Sequence, residues 1–126
     1  MITYDKDKIL NDIQKILAES DNNTYIGIEK KDCQSAFLPE AELCAIDCTN
    51  SEIHCLIDGL SADAARLKYP NGEVLCWICI NDTVSMKDYC EIQRVITSSI
   101  DSKNIRFSLR NNPCPEMRVL VVLMNI

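Results

Sequence analysis

The chain has only three glycines, one histidine and one tryptophan among its 126 residues. Three scattered glycines cannot build a loop whose backbone cradles phosphates. Basic charge is also short: 13 lysines and arginines stand against 19 acids, a formal net charge of −6. That field repels a phosphate backbone, so no nucleic-acid partner is expected. No apolar run approaches bilayer length. The opening Met1-Ile2-Thr3-Tyr4-Asp5-Lys6 has no apolar signal core. These two absences point to a cytoplasmic protein with no membrane partner.

Cysteine is abundant, with eight in the chain. In a secreted protein that number would suggest bridges; without an export signal it suggests reduced thiols. A free cysteine packs as a small hydrophobe. The length fits a single compact domain, residues 1–126. Hydrophobic content of 47% and charged content of 25% are ordinary for a globular chain.

Periodicity supplies the elements. Ile9, Leu10, Ile13, Ile16 and Leu17 form one apolar stripe, predicting a helix over Asp5–Glu19. Thr24–Ile28 reads as a strand. Lys30–Glu40 is charged, carries Pro39 and reads as a loop anchored by Phe37 and Leu38. Leu43–Cys48 and Ile53–Asp58 flank Asn50-Ser51 and suit a hairpin. In it Cys48 faces Ile53, Ile46 faces Cys55 and Cys44 faces Ile57, small against large. Ile53, Leu56, Ile57, Leu60, Ala64 and Leu67 also fit a helical stripe, with Gly59 against it by about 1 kcal/mol. The hairpin is preferred, followed by a short helix over Ser61–Lys68 capped by Ser61.

The last third is the most regular. Val74–Ile80 is apolar on both faces and reads as a central strand. Ser85 caps a helix whose stripe is Tyr89, Ile92, Val95, Ile96 and Ile100. Ile105, Phe107 and Leu109 alternate with Arg106, Ser108 and Arg110, a strand with one wet face. Val119 to Met124 is unbroken hydrocarbon and needs cover on both faces. The first two strands should form a right-handed parallel crossover around the helix, and the last two should pair antiparallel.

The stretch Glu73-Val74-Leu75-Cys76-Trp77-Ile78-Cys79-Ile80-Asn81, the helix Ser85–Ile100, Ser102-Lys103-Asn104-Ile105-Arg106-Phe107, and Glu116-Met117-Arg118-Val119-Leu120-Val121-Val122 together resemble the C-terminal domain of the FtsZ/tubulin-like family. The resemblance spans Glu73–Ile126. It implies a sheet layered against helices and a role in assembly. The family's glycine-loop nucleotide domain has no counterpart here, and no functional residue carries over.

Candidate chemistry is sparse. Cys76 and Cys79 have C-x-x-C spacing, but inside a strand an odd offset puts the sulfurs on opposite faces. Cys44 and Cys48 share a face yet lie roughly 13 Å apart along a strand. No metal site follows, and no cofactor is expected. His54 and Cys55 are adjacent and, in a strand, would point apart; His54 would pair with Asp47 across the hairpin. Cys114, in Pro113-Cys114-Pro115, is a candidate reactive thiol in an exposed connection. Arg106, Arg110 and Arg118 are a candidate interaction or anion-binding surface on an otherwise acidic chain. No catalytic residue stands out.

The expected fold is α+β: a mixed sheet of about five or six strands with helices packed on it, a two-layer sandwich. The expected function is a non-catalytic protein-interaction or assembly module, engaging a protein partner or itself. A thiol-dependent sensor or enzyme is the alternative, and a binder of a small anionic ligand the third reading.

Overall fold

The computed structural model describes residues 1–20, 27–67, 72–81, 83–100, 104–111 and 116–125. Among them a single five-stranded sheet runs in the order β1-β2-β5-β3-β4. The strands are β1 (Ile2–Thr3), β2 (Glu42–Asn50), β3 (Glu73–Ile80), β4 (Asn104–Asn111) and β5 (Met117–Asn125). The helices are α1 (Lys6–Ser20), α2 (Ile53–Arg66) and α3 (Met86–Ser99), joined by a 3-10 segment, Lys30–Phe37. The fold is α+β, an open mixed sheet with helices packed on it.

The hydrocarbon strand explains the topology. β5 pairs antiparallel with β2 on one side and with β3 on the other. A strand apolar on both faces is most stable where neighbours cover it from every direction. Its alternate residues feed two cores. Val119, Val121 and Leu123 pack with Cys44, Ile46, Cys76 and Ile78 beneath α2 and α3. Leu120, Val122 and Met124 pack with Leu43, Leu75 and Trp77 beneath Ile9, Ile13 and Ile16 of α1. The sheet therefore carries a helical layer on each side.

The expected antiparallel pairing of the last two strands does not occur. Among the described residues β4 pairs with β3 alone, in parallel, and β5 inserts on the other side of β3. β4 has a polar face, Arg106, Ser108 and Arg110, which suits the sheet's rim better than its centre. The crossover β3–α3–β4 is parallel as expected. Ser85 caps α3 by accepting the Asp88 N–H at 3.2 Å.

Ile53–Asp58 is helix, not the second arm of a hairpin. Leu56, Ile57, Leu60 and Ala64 bury one stripe of α2 against the sheet. Glu52 caps it, its carboxylate accepting the Cys55 N–H at 2.8 Å. The burial of that stripe outweighs the single glycine. Ser61 is consequently interior to a longer helix and caps nothing. Cys44, Ile46 and Cys48 do share a face, but α2 covers it where the hairpin arm was expected.

Lys30–Phe37 is helical where a loop was expected. The Glu29 N–H donates to the Asp32 carboxylate at 2.9 Å and starts the segment. Cys33 and Ala36 anchor it, while Phe37 and Leu38, the expected anchors, are exposed. Lys6 of α1 ties down the following turn, its ammonium donating to the carbonyls of Leu38, Pro39 and Ala41 at 2.8, 3.3 and 2.7 Å. Most of the expected strand Thr24–Ile28 lies outside the described residues; Gly27 and Ile28 are not in a strand. Gly27 has φ +111°, and a Cβ there would lie 2.4 Å from the Phe107 carbonyl oxygen, so a glycine is required where the chain passes β4.

Candidate interaction surface

Period-two alternation puts Arg106 and Arg110 on the α1 face of β4, at the rim of the sheet. Arg110 is opposite Cys79 of β3, and Cys79 is opposite Arg118 of β5. Arg110 and Arg118 thus share a row but stand two strands apart, about 10 Å. Arg106 lies one row further along than Ser108, opposite Leu75. The three arginines occupy one face without forming a contiguous stripe.

Each environment differs. Arg118 is clamped: its Nε and Nη2 donate to Asp47 Oδ1 and Oδ2, both at 2.8 Å, and Asp12 of α1 lies 3.7 Å away. Asp47 and Asp12 side chains keep only 17% and 18% of their exposure. This bidentate, half-buried pair joins β2 to β5 and α1 to both, a structural role. Arg106 is open, its side chain 62% exposed, with Asp32 3.7 Å from one guanidinium nitrogen. Arg110 is half-buried. Of the candidate surface, Arg106 is the group most available to an incoming partner.

Asp47 and His54 are not brought together. Asp47 points to the α1 face and holds Arg118, whereas His54 lies on the exposed side of α2, over the other face. Cys114 lies outside the described residues.

The thiols are mostly interior. Cys33, Cys44, Cys48, Cys76 and Cys79 are buried; Cys55 and Cys90 are exposed. Burial pushes the thiols of Cys44, Cys48 and Cys76 up, and that of Cys33 up to about 11 with help from the Asp32 charge. Cys55 is raised by its hydrogen bond to Glu52. Cys76 packs under α3, while strand alternation turns Cys79 to the α1 face. No group of three or more potential metal ligands occurs among the described residues. No described helix is long and apolar enough to cross a membrane.

Two features escaped the sequence. Trp77 and Ser108 are register partners on β3 and β4, both buried, and neither Trp77 Nε1 nor Ser108 Oγ has a hydrogen-bond partner among the described residues. A cavity of about 430 Å³ opens between the end of β2 and α2. No sequence pattern signals either, because both depend on which strands become neighbours.

No family model matches the chain, and no curated protein matches it. Among solved structures, an empty FtsZ dimer from M. jannaschii is similar over 64% of this chain at 14% identity, with a TM-score of 0.44. The match covers 26% of that chain's length. The similarity is partial, and no sequence family accompanies it.

Proposed function

We propose that this protein is a non-catalytic interaction or assembly module that engages a protein partner, or a second copy of itself, along the β4 rim. The observation that carries the reading is the position of β4. Among the described residues it is an eight-residue strand at the end of the sheet order, bonded to β3, with Gly27 passing close to the Phe107 carbonyl and an exposed Arg106 guanidinium on one face. A rim strand is a template for pairing with another chain. Ile105, Phe107 and Leu109 stand half-buried on its other face and add apolar contact. The resemblance of Glu73–Ile126 to an FtsZ C-terminal domain gives the same expectation of assembly.

Light scattering from micromolar to millimolar concentration tests self-association. The reading expects mass to rise with concentration and the rise to vanish in Arg106→Glu/Arg110→Glu. A monomer throughout removes the self-assembling version. Undiminished association in the double variant with any partner removes the β4 rim.

A further inference from the structure

β3 and β4 run parallel, so their leading ends lie side by side. A pocket of about 330 Å³ opens there, lined by Glu73, Leu75 and Arg106 among the first residues of the two strands. Its volume is within the roughly 300–1,000 Å³ of small-molecule sites. Leu75 is buried in the core beneath α1, and Arg106 is its register partner. Glu73 stands two residues before Leu75 and therefore on the same face.

Glu73 and Arg106 bring opposite charges to this one face, yet they do not pair with each other. They are diagonal neighbours, with backbones about 8 Å apart. Among the described residues the exposed Glu73 carboxylate makes no hydrogen bond or ion pair. The Arg106 guanidinium meets Asp32 at 3.7 Å through Nη1, beyond hydrogen-bond distance. Its Nε–Nη2 edge is left for a carboxylate, which that edge can bind with two parallel bonds. The backbone beneath is fixed. A Cβ on Gly72 would collide with the Met124 carbonyl oxygen, so the chain enters β3 pressed against β5, and Glu73 follows directly. A site held in place in this way loses little entropy on binding.

We infer that this pocket binds a free α-amino acid through its two main-chain charges. The ligand carboxylate lies on Arg106 and its ammonium on Glu73. In such a ligand the two charged groups are about 3 Å apart. Adding a hydrogen bond of about 2.9 Å at each end gives a span that matches the Glu73–Arg106 diagonal. A simple anion would meet repulsion from Glu73, and a simple cation would meet it from Arg106, so the pair selects a zwitterion. The inference shares Arg106 with the β4 reading but does not rest on it.

The test is an amide-shift titration of the full chain with L-alanine and L-leucine. N-acetyl-L-alanine, which lacks the ammonium, and L-alaninamide, which lacks the carboxylate, are the controls. Both amino acids are expected to bind saturably at millimolar concentration, with the largest shifts over 73–75 and 104–106. Each control should bind about tenfold more weakly, one lost charge-assisted contact. Both side chains are exposed, so the variants should fold. Glu73→Gln should weaken L-alanine about tenfold and leave N-acetyl-L-alanine no weaker, whereas Arg106→Gln should weaken both. Glu73→Gln should also leave any association seen by light scattering unchanged, which separates this site from the β4 rim. No saturable response to either amino acid overturns the proposal. So does equal binding of L-alanine and N-acetyl-L-alanine, or shifts centred away from the two leading ends.

Discussion

Arg118 shows how one side chain can hold three elements together. It extends from β5, grips Asp47 of β2 with two bonds and faces Asp12 of α1. Removing it leaves the half-buried Asp47 carboxylate without its bidentate partner and Asp12 with Lys8 at 3.6 Å. Arg118→Ala should therefore cost about 1–3 kcal/mol in urea unfolding. Replacing both ends by apolar groups, Arg118→Met with Asp47→Leu, should recover much of that loss, because the desolvation of the charges disappears with them. This arrangement was not legible in the sequence. The alternation of Arg106 and Arg110 placed them on one face correctly, since period two is local. The partner of Arg118 depends on the β2–β5 register, set by residues some seventy positions apart.

Among the elements, α1, α3 and β3 were legible because their apolar spacing agrees with their caps and lengths. α2 was not. Six apolar residues from Ile53 to Leu67 fit a helix, while Ile53–Asp58 beside Leu43–Cys48 mimics a hairpin. Gly59 tipped the balance toward strand. In the structure that glycine is a local weakness of a real helix with free space around it. Gly59→Ala should raise stability by about 1 kcal/mol, visible as a Tm increase of a few degrees. No increase would mean that the α2 backbone departs from helical geometry there. The strand partners also differ from the expectation. Consecutive strands usually neighbour each other, yet β5 skips β4, because its hydrocarbon content makes a two-sided central place more favourable than a rim.

Over the whole molecule, the sheet order grades local stability. β5 and β3 have strands on both sides and core on both faces, whereas β1 is a two-residue rim strand. Amide exchange should be slowest in β5 and β3 and fastest at β1; equal protection throughout would contradict this grading. The buried thiols add a pH dependence. Cys33, Cys44, Cys48 and Cys76 have folded pKa values raised by burial, so the native state holds their protons more tightly than the unfolded chain. Stability from this source is complete below the unfolded thiol pKa, about 8.5, and declines as pH rises above it. For Cys33 the decline continues to about 11. The urea midpoint should fall from pH 7.5 to pH 10, and substitution of Cys76 by alanine should flatten the fall.

β5 is the last strand in chain order, yet it lies between β2 and β3. Until it arrives, no strand of the leading portion bonds to any strand of the trailing portion. During synthesis the two portions would touch through their helices and the Lys30–Phe37 segment, without any strand pairing among the described strands, until β5 slid into the open slot. The same geometry makes the molecule a candidate for reconstitution from fragments. A chain lacking 117–125 should stay incomplete, and a separate peptide of that sequence should close it.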